Sequence, residues 1–303
     1  MWRNGLIGDA NAIVVMGPTA SGKSAWAMKV ASSMSAEIVV CDSVQLYRGF
    51  DIGSAKPSKI DQETIPHHMI DLVDCHESMD AAQYATKARS VVKDIITRGR
   101  VPLLVVGTGL YLRAFLGDAF DHDLPQSTEL RERFSSMSSE RLWRLLQRLD
   151  PERSAELHPN DVFRVKRAIE LRVLTGKVWG EWSKTPDARL NENLDLGDGI
   201  VFRPKYFRID PTRDELHNRI QIRSRQMIDE GLMAEVKQLH EKGCGWICKP
   251  MQTIGYLQAA QVLQGILQES EMFDAIVVAT RQYAKRQQTW FKKIKNAEIL
   301  RVV

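Results

Sequence analysis

The sequence predicts an α/β fold: a parallel sheet flanked by helices, built around a phosphate-binding loop and carrying a helical insertion domain. Three observations carry this. The apolar run Ile13-Val14-Val15-Met16 leads straight into Gly17-Pro18-Thr19-Ala20-Ser21-Gly22-Lys23-Ser24. Apolar runs recur at 37–41 and 101–106, with amphipathic helical patterns between them. Strands this apolar, alternating with helices, belong to a parallel sheet covered on both faces. After Leu124-Pro125 the pattern becomes helical without strands, which marks the insertion.

The elements follow in order. Ala12–Met16 reads as a buried strand and Ser24–Met34 as a helix with Ala27, Val30, Ala31 and Met34 on one face. Glu37–Cys41 is a second strand, ending at Asp42. Ser78–Thr97 is an amphipathic helix stopped by Gly99, and Val101–Val106 a third strand closing on Gly107-Thr108-Gly109. From Ser127 to about Gly180 the reading is all helix. Leu142, Leu145, Leu146 and Leu149 make one stripe, and Asp161–Thr175 is a further helix stopped by Gly176. Asn191–Gly199 reads as a loop and Lys205–Ile209 as a returning strand. Thr212-x-x-Glu215 is a capping box opening a helix with Leu216, Ile220 and Met227. The expected organisation is a P-loop NTPase-like core, 1–123 and 197–303, and an insertion at 124–196.

The G-x-x-x-x-G-K-S loop is the most specific signal. Glycines let successive N–H groups turn toward one phosphate, Lys23 adds a point charge, and Ser24 offers a hydroxyl to Mg²⁺. The following helix aims its positive end at the same anion. Gly17 to Ser24 are therefore the expected diphosphate-binding residues, of the type shared with ATP- and other nucleotide-binding proteins. Active residues belong at the C-terminal ends of the strands, where Asp42 and Thr108 fall. Asp42 can be read as a metal partner, as a general base, or as a cap on the next turn.

Composition narrows the partners. The chain has 303 residues and a formal net charge of +4, so a nucleic-acid role must rest on local patches. The C-terminal helix carries Arg281, Lys285, Arg286, Lys292, Lys293 and Lys295 with no acid between Asp274 and Glu298, interleaved with Tyr283 and Trp290. A basic run with aromatics is a nucleic-acid footprint. Arg164, Lys166 and Arg167 form a second patch, and Arg219 and Arg223 share a helix face able to grip a diphosphate. The four cysteines, Cys41, Cys75, Cys244 and Cys248, are too scattered for a disulfide framework. Reduced thiols and a cytoplasmic location are expected, with no targeting segment and no membrane span. His67 and His68 point to opposite sides of a strand and read as structural rather than metal-binding.

Taken together, these residues resemble the tRNA dimethylallyltransferase family, also called tRNA isopentenyltransferase. The matching stretches are Gly17–Ser24, Asp42-Ser-x-Gln-x-Tyr47, Asp51-Ile-Gly-Ser-Ala-Lys-Pro57, Pro66-His-His-Met-Ile-Asp71 and Gly107-Thr-Gly-Leu-Tyr111. His158-Pro-Asn-Asp161, Ile254-Gly-Tyr256 and Ala279–Trp290 continue the set in family order. The resemblance implies a prenyltransferase that moves a dimethylallyl group from its diphosphate to N6 of adenosine 37 in tRNA, releasing pyrophosphate. It implies that the loop holds the prenyl diphosphate rather than ATP, with Mg²⁺ near Ser24. Asp42 is then the general base, Thr108 lies near the reacting centre, and Arg223 steadies the diphosphate. The tRNA-contacting positions it implies are Asp42, Ser43, Val44, Gln45, Arg131, Phe163, Arg164, Val165, Lys166 and Arg167, joined by Lys285 and Arg286 from the basic helix. A monomer is expected. A small-molecule kinase, a GTPase switch and a tRNA-binding protein with a vestigial loop are the rival readings. Ser58-Lys59-Ile60-Asp61 is only a faint guanine-reading element.

Overall fold

The computed structural model describes residues 7–117, 125–182 and 193–301. Residues 1–6, the insertion boundary at Leu124, and Asn191 and Glu192 of the expected loop lie outside them. The chain divides into two compact units, 118–188 and the remainder, against expected insertion limits of 124 and 196.

The larger unit is built on β1 (Ala12–Met16), β2 (Ala36–Cys41), β3 (His67–His68), β4 (Val101–Val106), β7 (Pro204–Ile209) and β8 (Glu298–Leu300). These six strands run parallel in the order β3-β2-β4-β1-β7-β8. All five residues of β1 and all six of β2 are buried, because helices cover both faces. Helix α1 (Lys23–Ser33) places Ala27 and Ala31 against Ile13, Val15, Ile38, Leu103 and Phe207 on one face. Helix α3 (Ala81–Thr97) buries Tyr84, Ala85, Ala88, Val92 and Ile95. It starts three residues later than its periodicity suggests, because Asp80 caps it and Gln83 closes a capping box. Between them, α2 (Lys59–Thr64) opens on a capping box of Ser58 and Asp61. That local role accounts for the two polar residues that faintly resembled a guanine reader.

Beyond β4 comes α4 (Gly109–Phe115). The segment expected as a loop up to Gly199 holds β5 (Leu194–Asp195), which pairs antiparallel with β6 (Val201–Phe202). Helix α10 (Arg213–Asp229) opens on the expected Thr212–Glu215 capping box. Helices α11 (Leu232–Glu241), α12 (Tyr256–Leu263) and α13 (Glu269–Phe291) complete the unit. Helix α13 ends at Phe291, so Lys292, Lys293 and Lys295 stand past its end rather than on it, in the turn leading to β8.

The smaller unit is helical: α5 (Thr128–Ser135), α6 (Ser139–Leu149), α7 (Pro151–Glu156), α8 (Val162–Thr175) and α9 (Trp179–Trp182). Its core joins Phe134, Leu142, Leu146, Val165, Ala168 and Ile169. Gly176 ends α8 in the left-handed region at φ 71°, the conformation glycine tolerates best.

The expectation of reduced thiols is corrected. Cys75 and Cys244 are joined by a disulfide across 169 residues, with Cα atoms 5.8 Å apart. Chain spacing carries no record of a partner so distant. Cys41 and Cys248 are free thiols. Among the described residues no cluster of His, Cys, Asp and Glu could hold a metal ion, and no helix is long and apolar enough to cross a membrane.

Candidate active site

Four neighbouring strands end at one edge of the sheet, and the candidate site is assembled there from residues at and beyond their ends. After β1 the chain turns through Gly17–Ser24. Ala20 and Gly22 both take left-handed backbone, φ 61° and 91°, which curls the loop before α1 begins at Lys23. Successive N–H groups in such turns form a concave anion cradle. Lys23 is almost wholly buried, and its Nζ donates to the Pro18 carbonyl at 2.7 Å, so its charge is held inside the loop. Burial, helped by the nearby Arg223 charge and opposed by Asp42, pulls its pKa down to about 7. A bound diphosphate would favour the charged form of this ammonium.

Helix α10 brings two arginines onto the loop from about 200 residues away in sequence. Arg219 donates to the Ser21 carbonyl at 3.0 Å, and Arg223 to Thr19 Oγ1 at 3.1 Å. Burial lowers the pKa of Arg223, and Asp42 partly offsets it. The side-by-side placement expected from the i,i+4 spacing is met, and both guanidinium groups reach the phosphate loop.

After β2, Asp42 Oδ1 accepts from the Val44 amide at 2.8 Å and the Gln45 amide at 3.4 Å, which fixes the carboxylate. The β4 end closes beneath it: Gly107 and Thr108 each donate a backbone N–H to the Cys41 carbonyl at 3.0 Å. Thr108 Oγ1 accepts from the Ser43 amide at 3.1 Å and lies 3.4 Å from Ser43 Oγ. Thr108 therefore braces the 42–45 turn and does not itself form a wall of the cavity. Val106, the residue before Gly107, is buried and paired with Met16 and Cys41.

These parts surround one cavity of about 430 Å³. The phosphate loop, Arg219 and Arg223 line it, together with Asp42, Gln45 and Gly107. Apolar walls come from Val40, Ile52, Val105 and Met227. The cavity thus brings together cations, a carboxylate close enough to act on them, and hydrocarbon walls.

Two residues outside the expected set complete the site. Gln287 accepts from the Thr19 amide at 2.7 Å and donates to the Gly107 carbonyl at 2.6 Å, tying the phosphate loop to the β4 end. Tyr283, one turn earlier on α13, reaches the same carbonyl at 3.4 Å and lines the cavity. Burial and the Asp42 charge push its phenol up to about 12, so it stays a hydrogen-bond donor at neutral pH. Tyr283 and Gln287 share a helix face through their i,i+4 spacing, and Arg286 lies over the Tyr283 ring at 5.7 Å.

The expected RNA-contacting residues divide. Lys285 and Arg286 are exposed on α13. In the helical unit Phe163 is 82% exposed, Arg164 is exposed beside Asp161, and Lys166 is half-buried. Val165 is 1% exposed and belongs to the unit's core, because a helix cannot present five consecutive residues on one face. Arg131 and Arg167 both bind the buried Glu170, at 2.9 and 2.6 Å, so part of their hydrogen-bonding capacity already serves the unit's own fold. His67 lines the cavity while His68 bonds Glu37 on β2 at 2.6 Å, the opposed directions expected of neighbours on a strand.

Comparison with known proteins agrees with this geometry. The family model described as IPP transferase matches residues 45–294. A tRNA dimethylallyltransferase of Anoxybacillus flavithermus is 39% identical over 280 residues, covering 92% of this chain and 86% of that protein. The crystal structure of a full-length tRNA isopentenylpyrophosphate transferase from Bacillus halodurans superposes with a TM-score of 0.68 at 32% identity, covering 97% of this chain and 90% of that one. A eukaryotic dimethylallyltransferase acting on tRNA gives a TM-score of 0.77 over 96% of this chain and 74% of that one; at 24% identity it speaks to the fold alone.

Proposed function

The chain belongs to the IPP transferase family and is a tRNA-modifying prenyltransferase, and on that premise we propose how its own residues transfer a dimethylallyl group from dimethylallyl diphosphate to N6 of adenosine 37 in tRNA. The observation that carries this reading is a cavity lined together by the phosphate loop, Arg219, Arg223 and Asp42, with apolar side chains beside them. The diphosphate lies in the Gly17–Ser24 loop, against the Lys23 ammonium and the Arg219 and Arg223 guanidinium groups. The five-carbon chain lies along the apolar walls. The adenine leaves its stack to bring N6 to the allylic carbon that bears the diphosphate. N6 forms the new C–N bond as the C–O bond to the diphosphate breaks. Asp42 takes the proton that N6 gives up, and pyrophosphate leaves with the bonding electrons.

Asp42 suits this role because two backbone amides hold one of its oxygens in place. Thr108 acts through Ser43, holding the turn that bears Asp42. Mg²⁺ fits the exposed hydroxyl of Ser24 together with diphosphate oxygens, since Mg²⁺ takes few protein ligands and keeps waters. It would offset charge on the departing pyrophosphate. Phe163, Arg164 and Lys166 of the helical unit, with Lys285, Arg286 and the 42–45 turn, are the proposed tRNA contacts. We further propose a cytoplasmic monomer.

The test mixes purified protein, Mg²⁺, dimethylallyl diphosphate labelled in the alkyl chain, and unmodified tRNA. Label should enter the tRNA at one adenosine, and tRNA with guanosine at that position should stay unlabelled. Label on several adenosines, or none, would refute the proposal.

A further inference from the structure

The segment 51–57 forms one wall of the cavity through Ile52, Ser54, Ala55 and Pro57. It is held from far away in sequence by Glu235 on α11. One carboxylate oxygen accepts from the amides of Asp51 at 3.2 Å and Ile52 at 2.8 Å. The other accepts from the Gly53 amide at 3.4 Å and the Tyr256 hydroxyl at 2.6 Å. Three consecutive amides converging on one anion make a nest that fixes the backbone. Gly53 sits flat on the buried Tyr256 ring: a β-carbon there would come within 2.5 Å of Cε2. On the other side, the buried Lys56 ammonium binds Asp51 and Asp71, each at 2.6 Å, and the Tyr47 carbonyl at 2.8 Å.

This anchored segment in turn orients Gln45. The Gln45 amide nitrogen donates to the Ser54 carbonyl at 3.0 Å and the Ala55 carbonyl at 3.1 Å. Two carbonyl acceptors require the NH₂ end on that side, so the oxygen is what Gln45 can offer to a ligand. Glu235 itself is not part of the cavity wall.

Resting on the transfer reaction above, we propose that Glu235 is a positioning residue. It fixes segment 51–57 so that Gln45 presents an acceptor to the exocyclic amine of the substrate base. A base with an oxygen at that place meets acceptor against acceptor and is rejected.

The experiment compares wild type, Glu235→Gln and Tyr256→Phe. Three quantities are read without turnover: hydrogen exchange of the peptide covering 51–57, the Kd for dimethylallyl diphosphate alone, and the Kd ratio between anticodon stem-loops carrying inosine or adenosine at the target position. Glu235→Gln turns an NH₂ group toward backbone donors. It should speed exchange at 51–57 while β1 stays protected, and leave the diphosphate Kd within about twofold. It should reduce a wild-type preference for adenosine of about tenfold, the value of one good hydrogen bond, toward unity. Tyr256→Phe keeps three of the four donors and should move the same readouts less. Unchanged exchange, retained discrimination, or loss of protection across the whole chain would each overturn the assignment. A wild-type enzyme that bound adenosine RNA selectively but transferred no prenyl group would instead fault the reaction and leave the positioning role standing.

Discussion

Asp42 occupies the space that a β-carbon on Gly107 would need: its Oδ2 lies 2.5 Å from that position. The glycine at the end of β4 thus lets the carboxylate settle against the strand end. Its backbone amide meanwhile donates to Cys41, the residue before Asp42.

Gly107→Ala should therefore displace the carboxylate without touching the phosphate loop. A shift of about 1 Å in a reacting group can cost on the order of 10²-fold in rate. Asp42→Asn should cost roughly 10²–10⁴-fold, the range for loss of a general base. Single-turnover rates with saturating dimethylallyl diphosphate check both, and Kd for the diphosphate should change little in either. A near-normal rate in Asp42→Asn would remove Asp42 as the base.

The pKa of Lys23 near 7 in the ligand-free protein predicts a pH effect on binding. A bound diphosphate favours the ammonium and raises that pKa. Above pH 7 binding must then take up a proton, so affinity should fall by up to about tenfold per pH unit until the bound-state pKa is reached. Calorimetry in buffers of different ionisation enthalpy reads the uptake, which Lys23→Met should abolish. The same shift means that the unfolded chain holds more protons between about 7 and 10.5, so the ligand-free protein should gain stability as pH rises through that window.

The exposed cations of α13 and the turn after it give a salt-dependence test. Replacing Lys285, Arg286 and Lys292 together with Gln should lower the slope of log K against log salt for tRNA by about 0.7–0.9 for each phosphate that is no longer neutralised. An unchanged slope would place the RNA on another face.

The Cys75–Cys244 bond predicts a thiol count. Alkylation of denatured protein without reductant should tag two cysteines, Cys41 and Cys248, and four after reduction. Cys75→Ser should cost about 2–4 kcal/mol of stability under oxidising conditions, a difference that reductant removes.

Much of the core was legible because local pattern and tertiary role coincide there. The apolar run at 12–16, the loop at 17–24 and the strand end at Asp42 each carry their role in adjacent residues. The Thr212–Glu215 capping box worked for the same reason. What escaped depends on distance. Gln287 reaches Thr19 across 268 residues, and Glu235 reaches Ile52 across 183. A glutamine or glutamate on a helix has no local signature of such a partner. The strand β8 is three residues long with two of them exposed, too short to show alternation. Val165 lies within segment 163–167, and its side chain faces the core of the helical unit.

The central claim is that the loop serves prenyl transfer and not ATP chemistry. The most direct measurement follows two products in parallel with wild-type protein, Mg²⁺ and tRNA: pyrophosphate released from dimethylallyl diphosphate, and phosphate released from ATP. The account predicts tRNA-dependent pyrophosphate release matched one-to-one by prenylated tRNA, with no ATP requirement and no tRNA-stimulated ATP hydrolysis. Robust ATP turnover with no prenylated tRNA would contradict it.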